Sequence, residues 1–351
     1  MKKTTFTSKI IYGIILLAIS LSTNAQDEID ITNMISFSKT NTMNGVRLVT
    51  FIPAPVTNEY QEISALKANS GKFIDAGTNK ILLYDGSFEG ETLDVFESFK
   101  YKSKKVTIDF SNKSNRNIST NINPNEYLKS DGKFIDLDNA FIKEISAELW
   151  TMSTDSLEYA KNCYEFIAFR YNYIHGSWRT LAEILEAGGG ECGDFTTLFV
   201  NLMRVKGIPA RHNICISQDG AYHVWPDFYL NDYGWIPLDP TYKHSDPYGD
   251  YFGRYDGNLI IVSQGLTSFS GSGVGIKNSP LQICCYWFWY QNGSGNIEAK
   301  HIVKKEYLVT GIENIQADGK KEYPIYNLWG IKQNGLTHGI NIANGKKIYV
   351  K

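Results

Sequence analysis

The chain has 351 residues, enough for a sizeable core and for two or three domains, and its 42% hydrophobic and 21% charged residues are ordinary for a globular protein. Once residues 1–25 are set aside, 32 basic and 37 acidic residues remain, and the resulting formal charge of −5 argues against nucleic acid as a partner. The 22 Tyr, 18 Phe and 7 Trp favour a β-rich fold.

Residues 1–25 have the pattern of a secretory signal peptide. Lys2, Lys3 and Lys9 precede or open an apolar run over 10–21, and Thr23-Asn24-Ala25 supplies small residues for cleavage. The run is too short to span a bilayer, so no stable transmembrane segment is expected after cleavage. From 26 to 128, short apolar runs at 46–52, 80–84, 94–101 and 105–110 are separated by turn signals and predict a β-sandwich-like domain. The Asn- and Ser-rich stretch 112–124 reads as a long loop or boundary.

The period becomes helical from 138. Leu157, Ala160, Tyr164, Ile167 and Tyr171 recur at steps of three and four, with Ser153 or Asp155 as N-cap. A further helix starts near Cys192, buries Phe195, Leu198, Phe199, Leu202 and Met203, and stops at Gly207 with Pro209 just beyond. Strands follow at 214–217, 222–230, 235–238, 259–262, 281–290 and 297–309. A core over 129–310 is therefore expected to be α+β, with helices packed on an antiparallel sheet. The last segment, 311–351, is expected to end in a hairpin around Asn344-Gly345, a pair suited to a type I′ turn.

The cysteines are Cys163, Cys192, Cys215, Cys284 and Cys285, an odd set for a chain bound for an oxidising compartment. Cys163, Cys284 and Cys285 stand in apolar surroundings and read as packing residues. Cys192 differs, since Gly188, Gly189 and Gly190 precede it and a helix follows. A thiol at a helix N-terminus meets free backbone N–H groups and the positive end of the dipole, which favour thiolate, and its own N–H can serve a developing oxyanion.

A thiol nucleophile needs a base, and the base needs an orienting partner. His223, in a strand, and Asp239, at the end of the next strand, follow in that order. If Asn231-Asp232-Tyr233-Gly234 made a four-residue loop, Leu230 would face Trp235 and Asp239 would lie on the opposite side of the sheet from His223. A triad therefore requires an odd-length loop or a bulge, and Pro226 and Pro237 would suit a bulge. Asp239 before Pro240 also suits a plain turn residue. His212 and Cys215 lie close in sequence to His223 without paired ligand spacing, so no metal or cofactor is expected.

Three blocks resemble the transglutaminase-like core of bacterial proteins, in that family's order. They are Ser177-Trp178-Arg179-Thr180-Leu181, the run GGGECGDFTTLFVNLMRVKGIPAR over 188–211, and YHVWPDFYLNDYGWIPLDPTY over 222–242; Tyr251-Phe252-Gly253 with Asp256 fits a later block. The resemblance implies a papain-like fold over about 157–265, with Cys192 as nucleophile, His223 as general base and acid, and Asp239 as orienting carboxylate. It further implies Trp178 as an oxyanion donor through its indole N–H; a core residue or helix-entry staple is the other reading of Trp178. Pro226 replaces the commoner small residue of that family. FIPAPVTNEYQEI over 51–63 resembles the β domain that precedes many such cores, and 311–351 resembles the sorting domain of Bacteroidetes type IX secretion cargo, with Asn341 where Tyr is usual.

The expected protein is thus an exported cysteine peptidase or amidase acting on a protein or peptide substrate. Cross-linking transglutaminase activity and a non-catalytic surface or binding role are the alternatives. Its expected location is the cell surface or medium, otherwise the periplasm, with the type IX machinery as the implied export partner.

Overall fold

The computed structural model describes residues 28–40, 42–113, 123–176, 178–217, 220–279, 286–292 and 294–307, together with four strands between 325 and 350. The expected signal peptide, most of the 112–124 loop, and Cys284 and Cys285 lie outside the described residues. Among the described residues no helix is long and apolar enough to cross a membrane.

Six strands open the chain: β1 (Ile29–Lys39), β2 (Asn44–Ala54), β3 (Gln61–Ala68), β4 (Lys72–Ala76), β5 (Asn79–Ser87) and β6 (Thr92–Ser103). A two-residue strand, β7 (Val106–Thr107), is all that forms within the run expected over 105–110. β1 was not evident from apolar runs because Thr32, Asn33, Ser36 and Ser38 dilute its alternation. Two helices follow, α1 (Ala140–Thr151) and α2 (Ser156–Arg170), the second capped by the Asp155 side chain, which accepts from Glu158 N–H. Next come β8 (Asn172–Tyr173), α3 (Leu181–Ala187), β9 (Gly189–Gly190) and α4 (Cys192–Val205).

The core sheet is antiparallel in the order β12–β11–β10–β14, built from β10 (Ala210–Ser217), β11 (Tyr222–Leu230), β12 (Gly234–Pro237) and β14 (Leu259–Gln264). The short α5 (Pro240–Ser245) and β13 (Arg254–Tyr255) lie between the last two in sequence. α4 packs on this sheet, bringing Phe195, Leu198 and Phe199 into one buried cluster with Trp225 and Phe228. The architecture is the expected α+β one. The hairpin β15 (Thr267–Gly271) and β16 (Val274–Ser279) packs Phe269 against Val49, Phe51 and Leu83 of the opening strands.

The last part of the 129–310 region departs from the sequence reading. β17 (Tyr286–Asn292) and β18 (Ile297–Tyr307) do not join the core sheet; β17 pairs with β2, and β18 pairs with β1 along its whole length. They complete two four-stranded sheets, β18–β1–β6–β3 and β17–β2–β5–β4. Alternation reveals a strand but not its partner, so the pattern alone places these two with the nearest sheet in sequence. The two sheets face each other through Ile35, Phe37 and Val95 on one side and Leu48, Ile52 and Leu82 on the other.

The first of these sheets has a second contact on the same face. Ile29, Ile31, Phe99 and Tyr101 pack with Ile214, Ile216, Val224, Ile260 and Val262 of the core sheet and with Cys192. One long sheet thus serves the sandwich at one end and the core at the other. At the chain's end, β19 (Ile325–Asn327), β20 (Lys332–Gln333), β21 (Gly339–Ala343) and β22 (Lys346–Val350) form a sheet, and Ala343 opposite Lys346 gives the expected final hairpin.

Candidate active site

The glycine run before Cys192 answers steric demands. Gly188 ends α3 in the left-handed region, φ 65°, with its N–H on Ile184 O. A Cβ on Gly189 would stand 2.1 Å from Asn172 O across the β8–β9 pair, and one on Gly190 would stand 2.2 Å from Asp194 Oδ2. Cys192 is the first residue of α4 and only 6% exposed.

Asp194, which the sequence reading did not single out, holds this corner together. Its carboxylate accepts from Glu191 N–H (2.9 Å), Arg179 N–H (3.1 Å) and Arg179 Nη1 (2.8 Å). The segment carrying Trp178 is thereby fastened to the start of the cysteine helix. Trp178 packs in the cluster that contains Cys192, and its indole Nε1 is buried without a hydrogen-bond partner. A buried donor left unpaired is costly unless something comes to meet it. The Tyr173 ring lies edge-on to Phe195; burial, then the Cys192 sulfur, pushes that phenol up to about 12.

The hairpin between β11 and β12 meets the condition set by the triad. Leu230 pairs with Gly234 and Tyr229 with Trp235, so the loop is Asn231-Asp232-Tyr233, three residues rather than four. Gly234 closes it at φ 76°, a conformation glycine adopts without strain. The odd loop turns Asp239 to the same face as His223 with no bulge in this pair. β11 runs unbroken through Pro226, which lies opposite His212.

His223 Nε2 lies 2.6 Å from Asp239 Oδ2. Cys192 also acts on the ring electrostatically, and with Nε2 committed to Asp239, Nδ1 is the nitrogen left for the sulfur. Burial works against the imidazolium, but Asp239 and Cys192 more than offset it and raise His223 to about 10. Asp239 is also the turn residue of the plainer reading, since its other oxygen caps α5 by accepting from Tyr242 N–H at 2.9 Å. The Tyr242 ring then stacks on His223, centroids 4.7 Å apart and 8° from parallel. Thr196 Oγ1, 2.9 Å from Cys192 O and 3.2 Å from Val224 O, bridges the cysteine helix and the histidine strand.

Two neighbours stand apart from this line. His212 is fully buried with Nε2 3.1 Å from Thr197 Oγ1, and burial, helped by Arg204, lowers it to about 3, so it stays neutral. Cys215 Sγ accepts from Trp225 Nε1 at 3.2 Å.

Against this geometry, residues 143–240 match the family model of the transglutaminase-like superfamily. That match takes in Cys192, His223 and Asp239. Its fold is also that of a candidate cysteine protease of Cytophaga hutchinsonii, at TM-score 0.54 and 14% identity over 82% of this chain and 92% of that one. The periplasmic domain of TgpA from Pseudomonas aeruginosa is a more distant likeness, at TM-score 0.35 and 10% identity over 64% of this chain and 90% of that one. No curated protein matches the chain.

Proposed function

We propose that the protein is an exported thiol enzyme that cleaves amide or peptide bonds by acyl transfer through Cys192. The observation that carries this reading is the His223 ring, held to Asp239 at 2.6 Å through Nε2, with Cys192 at the start of α4 close enough to raise it. In the first half-reaction the Cys192 thiolate attacks the carbonyl carbon, and the C–N bond breaks as His223 gives its Nδ1 proton to the departing amine. In the second, water attacks the thioester, His223 takes the water's proton, and the acid leaves as thiolate re-forms. The Cys192 N–H and the unpaired Trp178 indole N–H are suited to receive the oxyanion of each tetrahedral intermediate.

Hydrolysis is favoured over transfer to a lysine amine because water outcompetes dilute amines unless it is shut out. Export rests on the signal-type N-terminus and the sorting-type C-terminus, with the cell surface or medium as the destination. The test is alkylation by iodoacetamide at neutral pH together with a peptide library offered with and without a fluorescent amine. Cys192 should react faster than a free thiol, cleavage should vanish in Cys192→Ala, and the amine should not be incorporated. A slow Cys192 with no activity lost in Cys192→Ala would leave a non-catalytic surface protein as the reading; incorporated amine would make it a cross-linking enzyme.

A further inference from the structure

Between the two apolar contacts of the long sheet lies a polar node. On β1, Ile29 and Ile31 belong to the core contact and Ile35 and Phe37 to the sandwich contact, with Asn33 between them. On β6 the corresponding residues are Phe99, Tyr101 and Val95, with Glu97 directly opposite Asn33. Asn33 is 3% exposed and Glu97 is fully buried, so polar groups occupy a position where aliphatic ones would pack at less cost.

The node is a directed chain of hydrogen bonds that ends at the candidate active site. Asn33 Nδ2 donates to Glu97 Oε1 at 3.0 Å. That assigns Asn33 Oδ1 as an acceptor, and His301 Nε2 on β18 lies 2.6 Å from it, so Nε2 carries a proton. His301 Nδ1 lies 2.5 Å from the Tyr222 hydroxyl, and the two rings are tilted on each other with centroids 5.3 Å apart. Burial lowers His301, which keeps the ring neutral at pH 7; neutral imidazole with Nε2–H must accept at Nδ1, so Tyr222 donates. From Tyr222 to Glu97 Oε1 each donor faces an acceptor, while Glu97, raised to about 8 by burial, keeps its Oε2 without a partner.

Tyr222 is the first residue of β11, and His223 is the second. Successive side chains of a strand leave opposite faces, so Tyr222 is gripped from behind while His223 works in front. The entry to β11 comes straight from the turn after β10, where a strand end is least held by its ladder. A hydrogen bond and a ring contact from the sandwich compensate for that.

We propose that His301 is a positioning residue for His223, acting through Tyr222, so that the sandwich sets the geometry of the active site and is more than a carrier domain. The proposal rests on the function assigned to Cys192 and His223. A ring nitrogen displaced by even part of an ångström from the sulfur forms a poorer ion pair and a poorer proton donor. His301 enters from far along the chain, outside the 143–240 match, and joins the site only because β18 returns to pair with β1.

The experiment compares full-length wild type, His301→Leu, His301→Gln and Tyr222→Phe by the rate of Cys192 alkylation with iodoacetamide, and by thermal unfolding of each. Leucine fills the site but offers neither bond, whereas glutamine offers both an acceptor and a donor. His301→Leu should slow alkylation about tenfold, the scale of one or two net hydrogen bonds, with Tyr222→Phe slowed by a few-fold. His301→Gln should recover most of the rate, and the order of rates should not follow the order of melting temperatures. Nitrogen NMR of wild type should find His301 neutral with the proton on Nε2. Wild-type speed in His301→Leu, or a His301→Gln as slow as the leucine variant, overturns the proposal while a fast wild-type Cys192 keeps the function standing. A wild-type Cys192 no faster than a free thiol removes the function and the positioning role together.

Discussion

Asp239 holds two neighbours with two oxygens: Oδ2 faces His223 and Oδ1 caps α5. Asparagine can keep the cap, since its carbonyl oxygen accepts as well as a carboxylate's, but it removes the charge that raises His223. Asp239→Asn therefore separates the two tasks. The variant should fold with a melting temperature near that of wild type and lose activity about a hundredfold or more, the scale of general acid–base catalysis. The pH profile carries the sign. His223 lies above its usual range, at about 10, so its proton is available to a leaving amine below that pH and is lost above it. Wild-type activity should fall as pH rises through about 10, and in Asp239→Asn that alkaline limb should move toward neutrality. The ion pair's contribution to stability follows the same sense: it is complete below the ordinary histidine value of 6.5 and is lost as pH rises through about 10. Urea denaturation of both proteins across that interval measures it, and an unchanged limb would detach Asp239 from the role proposed for it.

Secondary elements meet around Arg211, the last residue of the motif block that begins at Gly188. β10 carries it, fully buried, and β11 answers with Asp227, whose oxygens lie 3.0 and 3.2 Å from Nε and 3.0 Å from Nη2. The loop before β3 adds Glu59 at 3.0 Å and the Tyr60 hydroxyl on Asp227 at 2.9 Å, and the guanidinium lies 3.8 Å from the Trp235 ring centre. A buried cation that loses its main carboxylate is left with Glu59 alone, and the Tyr60 hydroxyl loses its acceptor, so Asp227→Ala should destabilise the protein by about 3–5 kcal/mol, read as a shift in the urea midpoint at constant slope. None of this pairing was visible in the sequence, where Arg211 read only as the end of a motif, because a side chain's partner comes from tertiary structure. The His223–Asp239 pairing was nearer to legible. Period-2 alternation gave the demand for an odd loop or a bulge, but the choice between a four-residue loop and a three-residue one depended on Gly234 entering the strand at positive φ. Local chemistry named Cys192 through its glycines and helix start, yet it overlooked Asp194, whose clamp on Arg179 exists only once α3 and α4 are folded against each other.

At the scale of the whole molecule the chain is not modular along its sequence. The sandwich opens with β1–β6, gives way to the core, and is closed by β17 and β18 more than 180 residues after β6, their partners being β2 and β1. Ile29, Ile31, Phe99 and Tyr101 of the sandwich bury the same cluster as Cys192 and Val224 of the core. A boundary drawn near 128, as composition suggests, would cut that shared cluster and strand β17 and β18 without partners. Two truncations follow from the topology. A fragment spanning 129–310 should expose the apolar face of the core sheet and two unpaired strands, and aggregate. A chain ending at 285 keeps the core face but loses Ile297, Trp287 and Trp289 from the sandwich cluster, leaves β1 and β2 as open edges and removes His301; it should lose its cooperative thermal transition, and its Cys192 should alkylate no faster than a free thiol. If the chain ending at 285 instead melts cooperatively and keeps a fast Cys192, β17 and β18 are accessory, and the sandwich can no longer be counted as part of the machinery that holds His223.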